Sequence, residues 1–164
     1  MNALFNRVSV RSFQNKLVEK EKVTLLLKAA MAAPSAGNQQ PWEFYVVENQ
    51  ELLEQLSKST PYAKPAKGSA VVVIPCYRKE GLRFEECVQQ DMSACTQNIL
   101  IEAVELGLGA VWMCTSPVEE RMQNVREIIS LPEHLDLFCM IALGYAAEEQ
   151  PAADRYDESR IHHV

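Results

Sequence analysis

The usual signatures of catalytic machinery are missing from this sequence. It contains no GxGxxG, no GxxxxGK[ST], no HExxH and no GxSxG, which leaves the phosphate-loop, zinc and serine-hydrolase readings without support. Histidine is scarce: His134 stands alone, while His162 and His163 sit together near the C-terminus and read as solvated tail more readily than as a metal site or catalytic base. The five cysteines, Cys76, Cys87, Cys95, Cys114 and Cys139, form no CxxC pair, and an odd number cannot close entirely into intramolecular disulfides. Reduced thiols in a cytoplasmic protein fit them best. Cys95 and Cys139 fall on apolar patterns, where a thiol acts as a small hydrophobe. No apolar run approaches the length of a membrane span, and MNALFNRVSVR carries arginine with no apolar segment behind it, so neither an anchor nor a secretion signal is expected. A net charge of −6 argues against nucleic acid or an anionic membrane as the main partner.

What is present is the balance of an ordinary globular chain, 48% hydrophobic and 23% charged over 164 residues, with no repeat or low-complexity tract. That length suits one domain, residues 1–164, able to bury about 70% of its unfolded surface. Apolar residues at Val23, Leu26, Leu27 and Ala30 predict a helix over 19–33, ended by Pro34. WEFYVVEN reads as a strand and QELLEQLSKS as a short helix. The unbroken run from Ala70 to Ile74 in SAVVVIPCY predicts a central strand covered on both faces. A long helix is expected over 84–108, with Met92, Cys95, Ile99 and Ala103 in one stripe and a stop at Gly107 and Gly109. AVWMCT, PVEERMQNVREII with Pro117 in its first turn, and LFCMIALGYA read as strand, helix and strand.

Two stretches stand out. In RVSVR, an extended backbone places Arg7, Ser9 and Arg11 on one side and Val8 and Val10 on the other. Two guanidinium forks and a hydroxyl suit a phosphate, because arginine donates paired hydrogen bonds and stays charged; a solvated arm with scattered charges has the same pattern. In APSAGNQQPW, Ser35, Asn38, Gln39 and Gln40 crowd polar groups around Gly37 just before a strand. They serve either a ligand or the turn's own backbone. Arg155, in the polar tail, adds a third cation to a prospective site for a ligand with a phosphate and a polar heterocycle.

RVSVRSF, APSAGNQQPWEFYVV, QDMSACTQNILIEAVELGLGAVWMC and IALGYAAEE, in that order and across nearly the whole chain, resemble the nitroreductase family of FMN-dependent oxidoreductases. The resemblance implies an α+β fold: a central, mostly antiparallel sheet flanked by helices, with an extended C-terminal arm. It implies that Arg7, Ser9 and Arg11 hold the FMN phosphate and ribityl chain, with Val8, where the family often has a second arginine, making a backbone contact or none. Pro34 and Ser35 would lie along the flavin ring and Asn38 at its polar edge or the ribityl hydroxyls. Met113, Cys114 and Thr115 would pass the other face, and Arg155 would complete the phosphate site, with Trp112 read as core. It further implies a homodimer with FMN at the subunit interface and C-terminal arms wrapped on the partner. The stripe of the long helix is then a candidate dimer core, although an intrachain core helix looks the same. No side chain need be catalytic, since the flavin carries the chemistry. NADH or NADPH would reduce it, and nitroaromatics, quinones or similar electron-poor molecules would reoxidise it by a ping-pong mechanism. The alternatives are a flavin-binding or sequestering protein with little turnover, or a specialised relative such as a reductive dehalogenase or flavin-destructase.

Overall fold

The computed structural model describes residues 2–164. Its sheet is built from the apolar runs: β1 (Trp42–Val47), β2 (Val71–Arg78), β3 (Gly109–Cys114), β4 (Leu135–Leu137) and β5 (Cys139–Gly144). The strand order is β1-β2-β5-β3, with β4 also on β2, and every ladder is antiparallel. The continuous apolar run is indeed central, buried from Val71 to Cys76. Alternation sends Val71 and Val73 into one core and Val72, Ile74 and Cys76 into a second. After the short α1 (Ala3–Asn6), α2 (Lys20–Met31) covers the first core; α3 (Gln50–Leu56) covers the second. The layers are completed by α4 (Val88–Glu105) on the first core and α5 (Glu119–Ile129) on the second. No helix among the described residues is long and apolar enough to cross a membrane.

Four sequence expectations need correction. LFCMIALGYA is two strands, because Cys76 pairs with Leu137 while Val73 pairs with Ile141, one residue more on that side than on β2. The extra residue falls opposite Pro75, which has no N–H to give to a ladder; its carbonyl accepts from Phe138 at 3.0 Å. The long helix begins only at Val88, after a 3-10 turn at Glu85–Cys87, and α5 begins at Glu119, with Pro117 ahead of its first turn. Finally, Met92, Cys95, Ile99 and Ala103 have no exposed surface and pack against α2 and the sheet of the same chain. That stripe is intrachain core and offers nothing to a dimer, each large apolar side chain in it contributing about 1.5–3 kcal/mol by burial.

At its C-terminus α4 stops as the glycine predicts. Gly107 adopts φ +73°, and the N–H groups of Gly107 and Leu108 return to the carbonyls of Val104 (3.0 Å) and Ala103 (2.7 Å). The chain then enters β3 beside residues 8–14, which run along the sheet margin. Ser9 bridges Ala110 in parallel, the Val10 N–H donates to the Ala110 carbonyl at 2.9 Å, and Phe13 bridges Ala146. Gly109 makes this approach possible: a Cβ there would stand 2.8 Å from the Val10 side chain. Beyond Gln150 every residue is exposed, and the tail contains only one short turn, Glu158–Arg160.

Candidate functional site

β3 lies at one end of the strand order, and the N-terminal arm meets the start of its outer side. Since the Ala110 carbonyl points outward to Val10, the alternation of an antiparallel ladder turns the backbone groups of Trp112 and Cys114 outward as well. They open on a cavity of about 570 Å3 whose walls include Arg11, Lys64, Pro61, Pro65, Trp112 and Met113. Trp112 is half-buried and packs on Phe138 with ring centroids 5.4 Å apart. At the mouth, Tyr62 carries the Arg121 guanidinium 5.1 Å above its ring, and Arg121 Nη1 reaches toward the Cys114 carbonyl at 3.5 Å. An apolar floor, strand-edge backbone donors and two cations, Arg11 and Lys64, suit a flat ligand whose polar edge gains negative charge.

In the arm Arg7, Val8 and Ser9 are all half-buried, Val10 is buried, and Arg11 is exposed and donates to the Ser9 carbonyl at 3.2 Å. Arg7 lines a second cavity, of about 580 Å3, together with Arg155 and flanked by Phe5 and Tyr156. Arg7 and Arg11 are four residues apart on an extended segment, about 13 Å, so one ligand of phosphate-plus-ring length can meet both. Val8 borders a separate groove beside Gly107. Cys114 is exposed, whereas Thr115 has no exposed surface, and its hydroxyl turns to the Met113 carbonyl at 3.4 Å. Its side chain therefore has no face for a ligand.

The turn after α2 is elsewhere. Neither cavity includes Pro34, Ser35 or Asn38. The turn leads into β1, at the other end of the strand order from β3, about 14 Å away across three strand spacings. It also sits at the start of the 18-residue α4, which is about 27 Å long, while the arm meets the far end. Much of its polarity serves the turn itself. Ser35 Oγ accepts from the Gln40 N–H at 3.0 Å, and Arg78 donates to the carbonyls of Gln39 (3.0 Å) and Gln40 (3.1 Å). Gln39 Nε2 donates to the Phe84 carbonyl (3.0 Å) and to Asp91 Oδ2 (2.6 Å), and its Oε1 accepts from the Phe84 N–H (3.0 Å). Asn38 and Gln40 are both exposed, with no side-chain hydrogen bond among the described residues.

Sequence reasoning passed over Pro61, Tyr62, Lys64 and Pro65, because residues 60–68 show no periodicity; a lysine between two prolines ahead of a central strand was the available signal. Trp112, read as core, also forms a cavity wall. The buried thiols are chemically quiet: burial pushes Cys76 and Cys95 up to about 12 and raises Cys139 well above its ordinary value. Among the described residues no group of three His, Cys, Asp or Glu side chains could hold a metal ion.

Comparison with known proteins gives consistent answers. The profile of the nitroreductase family matches residues 4–61 and 54–145. A protein of Methanothermobacter thermautotrophicus, provisionally named an NADH dehydrogenase/NAD(P)H nitroreductase, is 40% identical over 99% of this chain and 85% of its own. A crystal structure from Clostridium acetobutylicum, provisionally called an NADH oxidase, superposes with a TM-score of 0.95 at 44% identity, covering 98% of this chain and 97% of that one. An FMN-dependent nitroreductase from Clostridium difficile gives 0.91 at 29% identity, over 99% and 97% of the two chains.

Proposed function

Because the chain belongs to the nitroreductase family, we propose that it is an FMN-dependent NAD(P)H oxidoreductase whose 164 residues act as one FMN-binding domain in a cytoplasmic homodimer. The observation that carries this reading is the outer edge of β3: outward backbone groups over an apolar floor, with Arg11 and Lys64 at its rim and Arg7 with Arg155 one arm's length away. Arg7 and Arg155 would hold the phosphate, aided by Ser9 and by the Val8 backbone. Arg11 would offset the negative charge that develops at the ring's polar edge, and Trp112 would keep water from one ring face. The chemistry FMN supplies is acceptance of a hydride from a reduced nicotinamide and transfer of its electrons to a second molecule.

The separation of the turn from both cavities supports the dimer. Pro34, Ser35 and Asn38 cannot reach a flavin held by their own arm, so a second copy brings them to it, and the exposed tail with Tyr156 and Ile161 is free to lie on that copy. Five free cysteines suit a reducing compartment. With donor and acceptor sharing one open face, a ping-pong order follows, and nitroaromatics, quinones or related electron-poor molecules are the expected acceptors. Stopped-flow bleaching of the bound flavin by NADH and by NADPH, then reoxidation by a panel of such acceptors, tests the proposal. A colourless protein that binds no added FMN, or a flavin that neither nicotinamide bleaches, would overturn it.

A further inference from the structure

We infer that Asp91 is a positioning residue for the flavin site, acting through Gln39 on the turn that presents Ser35 and Asn38; the inference rests on the two-copy FMN site proposed above. Asp91 stands in the first turn of α4, is 5% exposed and forms no ion pair among the described residues. A buried carboxylate without a cation is costly unless hydrogen bonds satisfy it. Here both oxygens are committed to the turn: Oδ1 accepts from the Ala36 N–H at 2.9 Å and Oδ2 from Gln39 Nε2 at 2.6 Å. Gln39 is fixed in addition by two bonds to the Phe84 backbone.

What this brace holds is strained. Gly37, Asn38 and Gln40 have φ of 54°, 56° and 44°, the left-handed region that side chains other than glycine's rarely adopt. A connection between a helix and a strand has no need of two such residues. Their effect is to hold Asn38 out in solvent without a partner, at the place where a second copy's ligand would meet it. Gly37 adds to the fit, since a Cβ there would meet the Phe84 ring at 2.5 Å. Only a carboxylate serves at position 91, because both of its neighbours are N–H donors. An asparagine must turn its own amide N–H groups toward one of them.

Asp91→Asn should accelerate amide exchange at Ala36 and Phe84 in apo-protein at least tenfold, and weaken FMN binding about tenfold or more. Adding Gln39→Glu restores a donor–acceptor pair between positions 39 and 91, at the expense of the Phe84 carbonyl bond, and should recover part of both losses. If Asp91→Asn fails to fold, Gln39→Ala, at a half-buried position, carries the same expectation. The decisive arm mixes Asp91→Asn subunits with Arg11→Ala subunits. One site of each mixed dimer then combines a native arm with a native turn, so mixed dimers should hold close to half the FMN of wild type, more than either variant alone. An Asp91→Asn protein that binds FMN within twofold of wild type while Arg11→Ala does not, or mixed dimers with no gain, would overturn the role of Asp91 alone. Unchanged binding in Arg11→Ala would overturn the FMN reading itself and this inference with it.

Discussion

Replacing Gly109 by alanine tests whether the arm must lie against β3 for the cofactor to bind. The new Cβ would sit 2.8 Å from Cβ, Cγ1 and Cγ2 of Val10, where carbon atoms prefer about 3.5–4.0 Å. β3 is held by its full six-residue ladder with β5, so the arm is the partner that yields. A retreat of about 1 Å would stretch the 2.9 Å bond between the Val10 N–H and the Ala110 carbonyl beyond hydrogen-bonding range. It would carry Arg7, Ser9 and Arg11 with it. Overpacking of this kind costs about 1–3 kcal/mol. Because the strain falls on the arm and not on either core, it should appear as a fall of roughly five- to 150-fold in FMN affinity, with little change in melting temperature. Quenching of flavin fluorescence on titrating apo-protein gives the affinity, and amide exchange at Val10 reports the arm. FMN binding within twofold of wild type, with Val10 still protected, refutes the reasoning.

Arg11→Ala should weaken FMN binding by about 1.5–3 kcal/mol, with Arg11→Lys recovering only part, as calorimetric titration of the apo-protein can measure. Deleting the tail from Pro151 should lower dimer stability and flavin retention together; analytical ultracentrifugation with FMN quantified in each peak would expose a truncated dimer of undiminished affinity. Burial raises Cys76 and Cys95 from 9.0 to about 12, and burial followed by the Asp136 charge raises Tyr77 from 10.0 to about 12. Since the unfolded chain ionises first, the stability these groups contribute is complete below about pH 9 and lost as pH rises toward 12, so the urea midpoint should fall between about pH 8 and pH 11. In native protein a thiol reagent should modify exposed Cys114 and then half-buried Cys87, with Cys76, Cys95 and Cys139 reacting only on unfolding, as peptide mapping would record.

The layers and the arm were legible in the sequence because both rest on short periods. Val71 to Ile74 announces a strand covered on two faces, and the alternation of RVSVR separates Val8 and Val10 from Arg7, Ser9 and Arg11 without any long-range information. Residue type says less about partners. By type Gln39 suits either a ligand or the turn's own backbone; in the fold its amide is occupied by Phe84 and Asp91, 45 and 52 positions downstream, partners that no local pattern announces. The stripe of α4 fitted a dimer seam as well as an inner face until α2 was seen on it. The break opposite Pro75 depended on pairing register, which no single strand specifies.

The half-covered margin of β3 has a consequence for solubility. An unpaired strand edge is a template on which another chain can add itself, and proteins protect such edges with short contacts and charge. Here the arm covers only the start of β3, and beyond it Lys64, Arg11 and Arg121 stand as positive gatekeepers beside the open backbone of Trp112 and Cys114. A bound planar cofactor would cap the remaining stretch. Holo-protein should therefore stay dispersed at concentrations where apo-protein begins to form strand-paired aggregates, and neutralising Lys64 or Arg121 should lower that threshold even though neither substitution touches a core.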